Sequence, residues 1–382
     1  MKAASIQDYR ALARRRVPHF LFEYIDGGSY SEVTARRNIS DLEGIALRQR
    51  VLRDVSNVDL SASLFGQSLA MPVMMGPIGL AGLGARRGEI QAAQAAKAAG
   101  IPFCLSTVSL CSLGEVTRGA GYAPWFQLYV MRDRALLRTL LDEAEQLGCP
   151  ALFFTVDMPV PGARYRDYRS GLAGAPGVRG ALRRLGQALA RPAWCGDVGL
   201  LGRPHTLGNV APLLKGRSGL SDFIGWMRDN FDPTVTWKEI EWVRARWNRP
   251  LIVKGVLDPE DAREAVRCGV DGVIVSNHGG RQLDGVPSTV SALPAIADAA
   301  GDRLSVLVDG GVRSGLDVVR MLARGADGVL LGRAWAYALA AGGRAGVTHV
   351  LDMIAAEMRV AMALTGVSRI EDIGPDILVG RE

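Results

Sequence analysis

Residues 272–285 read GVIVSNHGGRQLDG. Val273, Ile274 and Val275 form a short apolar β-branched run, the pattern of a strand buried on both faces. The run turns polar at Ser276, Asn277 and His278, where a strand would leave the core. Gly279 and Gly280 then let the backbone turn sharply and approach a ligand closely. Arg281 follows at once. A base and a planar cation so placed, on a glycine-rich turn at the C-terminal end of a strand, could take a proton from a substrate and hold its carboxylate by two hydrogen bonds.

The same beat of apolar run, polar end and amphipathic helix recurs on both sides of this stretch. Upstream, 71–76 leads to Pro77, 103–105 ends at Ser106 and Thr107, and 125–128 contains Gln127 and ends at Tyr129. The run 151–154 ends at Thr155, Val156 and Asp157, and 251–253 ends at Lys254. Downstream, 304–308 ends at Asp309, and 329–331 ends at Gly332 and Arg333. Helical patterns over about 86–99 and 134–147 fill intervals, and Asp258, Pro259 and Glu260 suit a helix N-terminus. Eight strands, each followed by helix or loop, are the count of a (β/α)8 TIM barrel of the α/β class, whose active site lies at the C-terminal strand ends. A doubly wound sheet is the competing architecture, because Gly82 and Gly84 ahead of the Arg86 helix approach a dinucleotide fingerprint. Arg87 stands where the third glycine is needed and no acid lies near position 102, so the barrel is preferred.

Composition agrees with this. The chain of 382 residues is 48% hydrophobic and 22% charged, enough to bury a large core, and its 46 glycines suit many tight strand-to-helix connections. Barrels with insertions grow past about 250 residues, so residues 1–382 are expected to form one domain. Residues 1–60 read as a helical, peripheral cap: Tyr9, Leu12 and Ala13, then Phe20, Leu21, Tyr24 and Ile25, recur at helical spacing before Gly27 and Gly28. Five scattered cysteines without a C-x-x-C pair argue for reduced thiols in the cytoplasm. The four histidines lie too far apart for a recognisable metal motif, and no metal site is expected. The charged start MKAASIQDYRALARRR lacks the apolar segment of a signal peptide. The uncharged stretch 60–85 is long enough to span a membrane, but Pro72, Pro77 and five glycines interrupt it, and it reads as a strand with its loops.

Residues 161–220 form a long insertion between strand 4 and strand 5. They hold nine arginines and one lysine against Asp167 and Asp197, a net +8, so the rest of the chain carries −2 of the total +6. Val178, Leu182, Leu185 and Leu189 fall on one helical face, with Arg179, Arg183, Arg184 and Arg191 around the other; Gly180 and Gly186 oppose the helix. Such a segment reads as a barrel lid or as a basic amphipathic helix lying on an anionic membrane surface. Nucleic acid is not expected as a partner, since no recognition module accompanies the charge.

At the barrel mouth, Gly310, Gly311 and Arg313, then Gly332 and Arg333, place bare amides beside guanidinium groups. That suits a phosphate at the turns after strands seven and eight. One phosphate site without a dinucleotide fingerprint points to a mononucleotide cofactor. Lys254 adds a cation deeper in the mouth, or pairs an acid. Ser106, Gln127 and Thr155 offer uncharged donors and acceptors to a planar heterocycle, or cap helices.

The set Ser276-Asn277-His278-Gly279-Gly280-Arg281-Gln282, with Phe126-Gln127-Leu128-Tyr129, Thr155-Val156-Asp157 and Asp309-Gly310-Gly311-Val312-Arg313, closely resembles the FMN-dependent α-hydroxy-acid oxidising family over essentially the whole chain, and within it the bacterial respiratory, quinone-linked L-lactate dehydrogenases. The resemblance implies His278 as catalytic base, backed by Asp157. It implies Arg281 and Arg164 as a carboxylate clamp, and Tyr24 and Tyr129 as substrate contacts. Lys254 would lie by N1 and O2 of the flavin, favouring the anionic reduced ring. Ser106, Gln127, Thr155, Ser276 and the phosphate turns of Asp309, Gly310, Gly311, Arg313, Gly332 and Arg333 would hold FMN. Gly76-Pro77-Ile78-Gly79 replaces the Pro-Thr-Ala of better-known oxidase members, and Leu110 falls where many carry tryptophan; the first change puts in doubt one hydroxyl contact to the flavin that the resemblance would imply, and the second alters the pocket wall. No N-terminal haem domain is seen.

The implied reaction is oxidation of L-lactate to pyruvate with electrons passed to a quinone, by a homo-oligomer held peripherally on the cytoplasmic face of the inner membrane. The alternatives are an oxygen-using oxidase, a dehydrogenase of mandelate or glycolate, a non-redox phosphate-binding isomerase or lyase, or a flavin-storing protein without turnover.

Overall fold

The structure, a computed structural model, describes residues 3–173, 177–214 and 223–380. Eight strands make the barrel: β1 (Val73–Met75), β2 (Cys104–Ser106), β3 (Trp125–Tyr129), β4 (Leu152–Thr155), β5 (Leu251–Val256), β6 (Gly272–Val275), β7 (Ser305–Val308) and β8 (Gly328–Leu331). β2 to β8 each pair in parallel with the next, and β8 pairs with β1. A parallel bridge from Met75 to Phe103 closes the ring. All eight runs read from the sequence are strands, and the competing doubly wound sheet is thereby excluded.

Alternation along the strands explains where the chemistry sits. Met74, Cys104, Trp125, Phe153, Ile252, Ile274, Leu307 and Leu330 pack together as an apolar layer inside the barrel, separate from the larger cluster between strands and helices. Burial of such side chains stabilises by about 1.5–3 kcal/mol each. A strand repeats its facing every two residues, so the next inward positions are Gly76, Ser106, Gln127, Thr155, Lys254, Ser276, Asp309 and Gly332. Every one is polar or glycine. One strand period thus converts a greasy interior into a polar floor at the C-terminal mouth. The opposite end is plugged by an antiparallel hairpin, Ala62–Leu64 with Gln67–Leu69, whose Leu64 and Leu69 join the interior layer. Gly272 is required there, since a Cβ would come within 3.0 Å of the Phe65 ring and 2.8 Å of the Ser305 carbonyl.

The helices follow their caps. Leu113–Ala120 opens with a capping box between Ser112 and Glu115, Arg134–Gln146 is capped by Asp133, and Pro259–Arg267 by Asp258 with proline in its first turn. The expected helix near 86–99 forms as Gly88–Ala98. The C-terminal run Arg333–Thr365 is two helices joined at Gly343, whose φ of 58° breaks the first.

Before the barrel come helices Ile6–Arg16, His19–Asp26 and Val33–Glu43. The cap read over 1–60 is helical only to Glu43, and it is not all peripheral. Ile6–Arg16 packs on Arg333–Thr365, while His19–Asp26 reaches the mouth and buries Tyr24. Helical spacing shows that a helix has an apolar face, not which neighbour that face meets.

Between β4 and β5 lie the short helix Tyr165–Ser170, the helix Val178–Leu189 and the return helix Phe223–Asn230. The insertion read at 161–220 includes residues 174–176 and 215–220, which lie outside the described residues. Val178–Leu189 forms despite its two glycines; Gly180 is its buried residue, and a Cβ on Gly186 would meet nothing within 4 Å among the described residues. Its apolar row is turned outward: Val178, Leu182, Leu185 and Leu189 are 53–75% exposed. Among the described residues, no helix is long and apolar enough to cross a membrane.

Candidate active site

The barrel mouth holds a cleft of about 1070 Å³, solvent at its entrance included. Its floor is a chain of neutral hydrogen bonds. Ser106 Oγ donates to Gln127 Oε1 at 3.0 Å, and Gln127 Nε2 donates to Thr155 Oγ1 at 3.0 Å. Beside it Lys254 Nζ donates to Ser276 Oγ at 2.6 Å and pairs with Asp309 Oδ2 at 2.8 Å, while Ser276 Oγ also meets Asp309 at 2.9 Å. Burial works against the ammonium, but Asp309 and Asp157 outweigh it and raise the Lys254 pKa above its ordinary value. The expectation that Lys254 pairs an acid thus holds together with its place in the cleft.

His278 stands on the turn after β6 with its backbone left-handed at φ 56°, followed by Gly279 at 64° and Gly280 at 71°. A non-glycine residue pays for that conformation in steric crowding. His278 Nδ1 is 2.9 Å from Asp157 Oδ1. Burial opposes the Asp157 charge, yet the neighbouring His278 and Lys254 hold its carboxyl below the ordinary value. An ionised Asp157 fixes the proton on Nδ1 and leaves Nε2 to the cleft, where the Tyr129 hydroxyl lies 3.5 Å away. Tyr129 is stacked between His278 and Phe231, with centroids at 6.4 and 4.9 Å.

Two arginines converge on the same side. Arg281 Nη1 donates to the carbonyls of Tyr24 and Gly27 at 2.7 and 2.6 Å, and its guanidinium lies 4.9 Å over the Tyr24 ring. Arg164 lies 6.0 Å over that ring, its Nε buried without a partner among the described residues and its Nη1 3.8 Å from Asp167. Burial and then the like charge of Arg164 push Arg281 down to about 9. Arginine does not give up its proton in practice; the shift marks a buried cation that an entering anion would relieve.

The turn after β7 carries Gly310 and Gly311 at φ 96° and 87°, tight against Asn38, where a Cβ on Gly311 would lie 2.1 Å from the Asn38 carbonyl. Arg313 lies 5.8 Å from the Tyr337 ring centroid. After β8, among the described residues, a Cβ on Gly332 would meet nothing within 4 Å and the following helix N-terminus has no side-chain cap. Open space before an uncapped helix start suits a phosphate. Arg333 is less free than its neighbours suggest: it donates to the carbonyls of Ile25, Gly279 and Gly27 at 3.1, 2.7 and 2.8 Å, tying the cap helix to the base turn.

All the residues expected from the sequence thus gather at this one mouth, Arg313 and Arg333 among its lining. Other residues were not foreseen: Val108, Met158 and Met227 line the cleft and Phe231 backs Tyr129; the last two sit on or beside the return helix of the insertion, where no strand period announces them.

These groups fit FMN. The neutral floor matches a ring with donors and acceptors, Asp309 Oδ1 is buried without a partner among the described residues, and the open space at Gly332 suits a phosphate. A barrel so equipped, with a carboxylate-backed histidine and an arginine pair in the same cleft, is built as a flavin oxidoreductase acting on a small anion. Comparison with known proteins narrows this. Residues 13–380 match the family described as FMN-dependent dehydrogenase. An L-lactate dehydrogenase of Caulobacter vibrioides (strain NA1000 / CB15N) is 62% identical over 381 residues, covering 100% of this chain and 99% of its own. One from Stenotrophomonas maltophilia (strain K279a) is 60% identical over 97% of each. Among solved structures, the monotopic membrane protein (S)-mandelate dehydrogenase superposes with a TM-score of 0.92 at 34% identity, over 99% of this chain and 100% of that one. A mandelate oxidase does so at 0.82 and 36%, over 97% and 96%. The chain belongs to the FMN-dependent dehydrogenase family and is an oxidoreductase with FMN as its cofactor.

Proposed function

We propose that this protein oxidises L-lactate to pyruvate and passes the electrons to a quinone at an anionic membrane surface. The observation that carries the reading is the His278–Asp157 pair facing the same cleft as Arg281 and Arg164, together with near-60% identity over full length to proteins named L-lactate dehydrogenase.

When bound, FMN would supply an acceptor for two electrons and for the second of the two protons that lactate loses in becoming pyruvate. The chain's own residues do the rest. Arg281 and Arg164 grip the substrate carboxylate, Arg281 held in place by the Tyr24 and Gly27 carbonyls. His278 Nε2 takes a proton from the substrate, and the imidazolium so formed is stabilised by Asp157 across 2.9 Å. Tyr129 fixes the substrate oxygen side, and Tyr24, whose hydroxyl donates to the Gly79 carbonyl at 3.2 Å, closes the other. Lys254 keeps a fixed positive charge where negative charge accumulates. Ser106, Gln127, Thr155 and Ser276 hold the ring, and Asp309, Gly310, Gly311, Arg313, Gly332 and Arg333 the phosphate side. The carbon chain of the substrate meets Val108, Met158 and Met227, an apolar wall suited to a methyl group.

The exposed row Val178, Leu182, Leu185 and Leu189, with arginines around it, supports peripheral attachment to the inner face of the cytoplasmic membrane. In this reading residues 1–382 are one catalytic domain, capped by the N-terminal helices, with the insertion as lid, anchor or both, and the chains assemble into a homo-oligomer. The test is steady-state turnover with L-lactate, glycolate and (S)-mandelate, each with a soluble quinone or with oxygen. The highest kcat/KM with L-lactate and quinone is expected; a preference for mandelate or for oxygen would move the protein to a neighbouring activity of the same family.

A further inference from the structure

Asn38 belongs to the helix Val33–Glu43, outside the barrel, yet it is only 2% exposed and faces Asn277, which is 4% exposed and precedes His278. The two amides bond reciprocally: Asn38 Nδ2 donates to Asn277 Oδ1 at 2.8 Å, and Asn277 Nδ2 donates to Asn38 Oδ1 at 2.8 Å. Asn277 Oδ1 also accepts from Gly280 N at 3.1 Å, and its Nδ2 donates to the Pro287 carbonyl at 3.1 Å. Asn38 Oδ1 accepts from Thr289 N at 3.3 Å. The pair therefore spans the turn that holds His278, Gly279 and Gly280 in three successive left-handed conformations. Locally the run is held by His278 N donating to Ser276 Oγ at 3.1 Å and Gly280 N donating to the Asn277 carbonyl at 3.0 Å, in a conformation that a histidine does not favour. The same Asn38 backbone leaves no room for a side chain on Gly311, so one residue abuts both the base turn and the phosphate turn.

We infer that Asn38, acting through Asn277, is a positioning residue that sets the direction of the His278 imidazole. The inference rests on His278 being the base of the proposed reaction. Arg281 is fixed independently by the carbonyls of Tyr24 and Gly27, so loss of the amide pair falls on proton transfer rather than on the carboxylate clamp. The test uses full-length holoenzyme of wild type, Asn38→Ala, Asn277→Ala and the double variant, with anaerobic flavin reduction by L-lactate followed by stopped flow and normalised to bound FMN. Wild-type reduction establishes the reaction itself, so a failure of that reading is seen separately. A misdirected reacting group costs on the order of 10- to 100-fold, and the limiting reduction rate of each single variant is expected to fall by about that factor. The substrate dissociation constant is expected to stay within about threefold, and the double variant to be no slower than the slower single one, because both changes remove one unit. Limiting rates within about twofold of wild type, losses that multiply in the double variant, or a loss confined to the dissociation constant would overturn the inference. Asn38→Asp keeps the shape and the accepting half of the pair but not the donating half. If the alanine variants do not accumulate, the same split is expected from it, and a wild-type rate in that variant counts against the role equally.

Discussion

His278 carries a φ of 56° and a carboxylate partner at 2.9 Å, and both features fit the imidazole's proposed part as base. Its replacement by glutamine preserves size and one hydrogen bond but removes the titratable nitrogen. His278→Gln is expected to retain FMN and to lose on the order of 10²- to 10⁴-fold in the rate of flavin reduction, measured anaerobically per bound flavin; near-normal reduction would place the base elsewhere. His278 and Arg281 were legible in the sequence because one glycine-rich turn carries both. Lys254, Ser276 and Asp309 were legible as strand ends, and their mutual contacts within 3 Å follow from adjacent strands in register. Arg164 had no such signal. It lies beyond β4 in an irregular segment, and only the family resemblance singled it out. Phe231 and Met227 return from the insertion and could not be placed without coordinates.

Among the elements, the helix His19–Asp26 shows how the cap is fastened. Its last residue, Asp26, is nearly buried and accepts from Arg10 at 2.5 Å, Arg166 at 2.7 Å and Tyr337 at 2.6 Å. It thereby joins the first helix, the insertion and the C-terminal helix. Burial alone would raise the Asp26 pKa, but hydrogen bonds from Arg10, Tyr337 and Arg166 hold it well below the ordinary value. A carboxyl depressed in the folded state contributes stability that is complete above its unfolded pKa, about 3.9, and is lost as pH falls through that value toward the folded one. The thermal midpoint should therefore drop on acidification below about pH 4. Asp26→Asn is expected to have a lower midpoint at pH 7 and a flatter dependence below pH 4; an unchanged midpoint at pH 7 would show that the three contacts hold nothing together. The helix Val178–Leu189 makes a different demand, because its leucines face out. Leu182→Ser with Leu185→Ser leaves the arginines in place, so loss of sedimentation with anionic vesicles at low salt, with unchanged lactate reduction of a soluble dye, is the expected result. Binding equal to wild type would assign the vesicle contact to another surface. The sequence showed this helix and its two faces, since periodicity reports amphipathicity; that the apolar face meets solvent rather than the barrel is a matter of tertiary placement.

At the scale of the molecule, the strand period is the link between fold and reaction. Eight inward apolar residues are each followed two positions later by a polar residue or glycine, and the floor of the cleft is the second of these layers. The barrel and its polar rim were therefore readable from residue spacing alone. The arrangement of the cap was not, because contacts such as Arg333 with the carbonyls of Ile25 and Gly27 join segments about 300 residues apart. The family membership and the assembled mouth together support removal of two electrons and two protons from L-lactate, which leaves pyruvate. The direct measurement is the visible spectrum of the purified, FMN-loaded protein mixed anaerobically with L-lactate and, separately, with D-lactate. Rapid bleaching of the yellow flavin by L-lactate alone is expected. An FMN-loaded protein whose spectrum neither enantiomer changes, or one bleached equally by both, would contradict the proposed reaction.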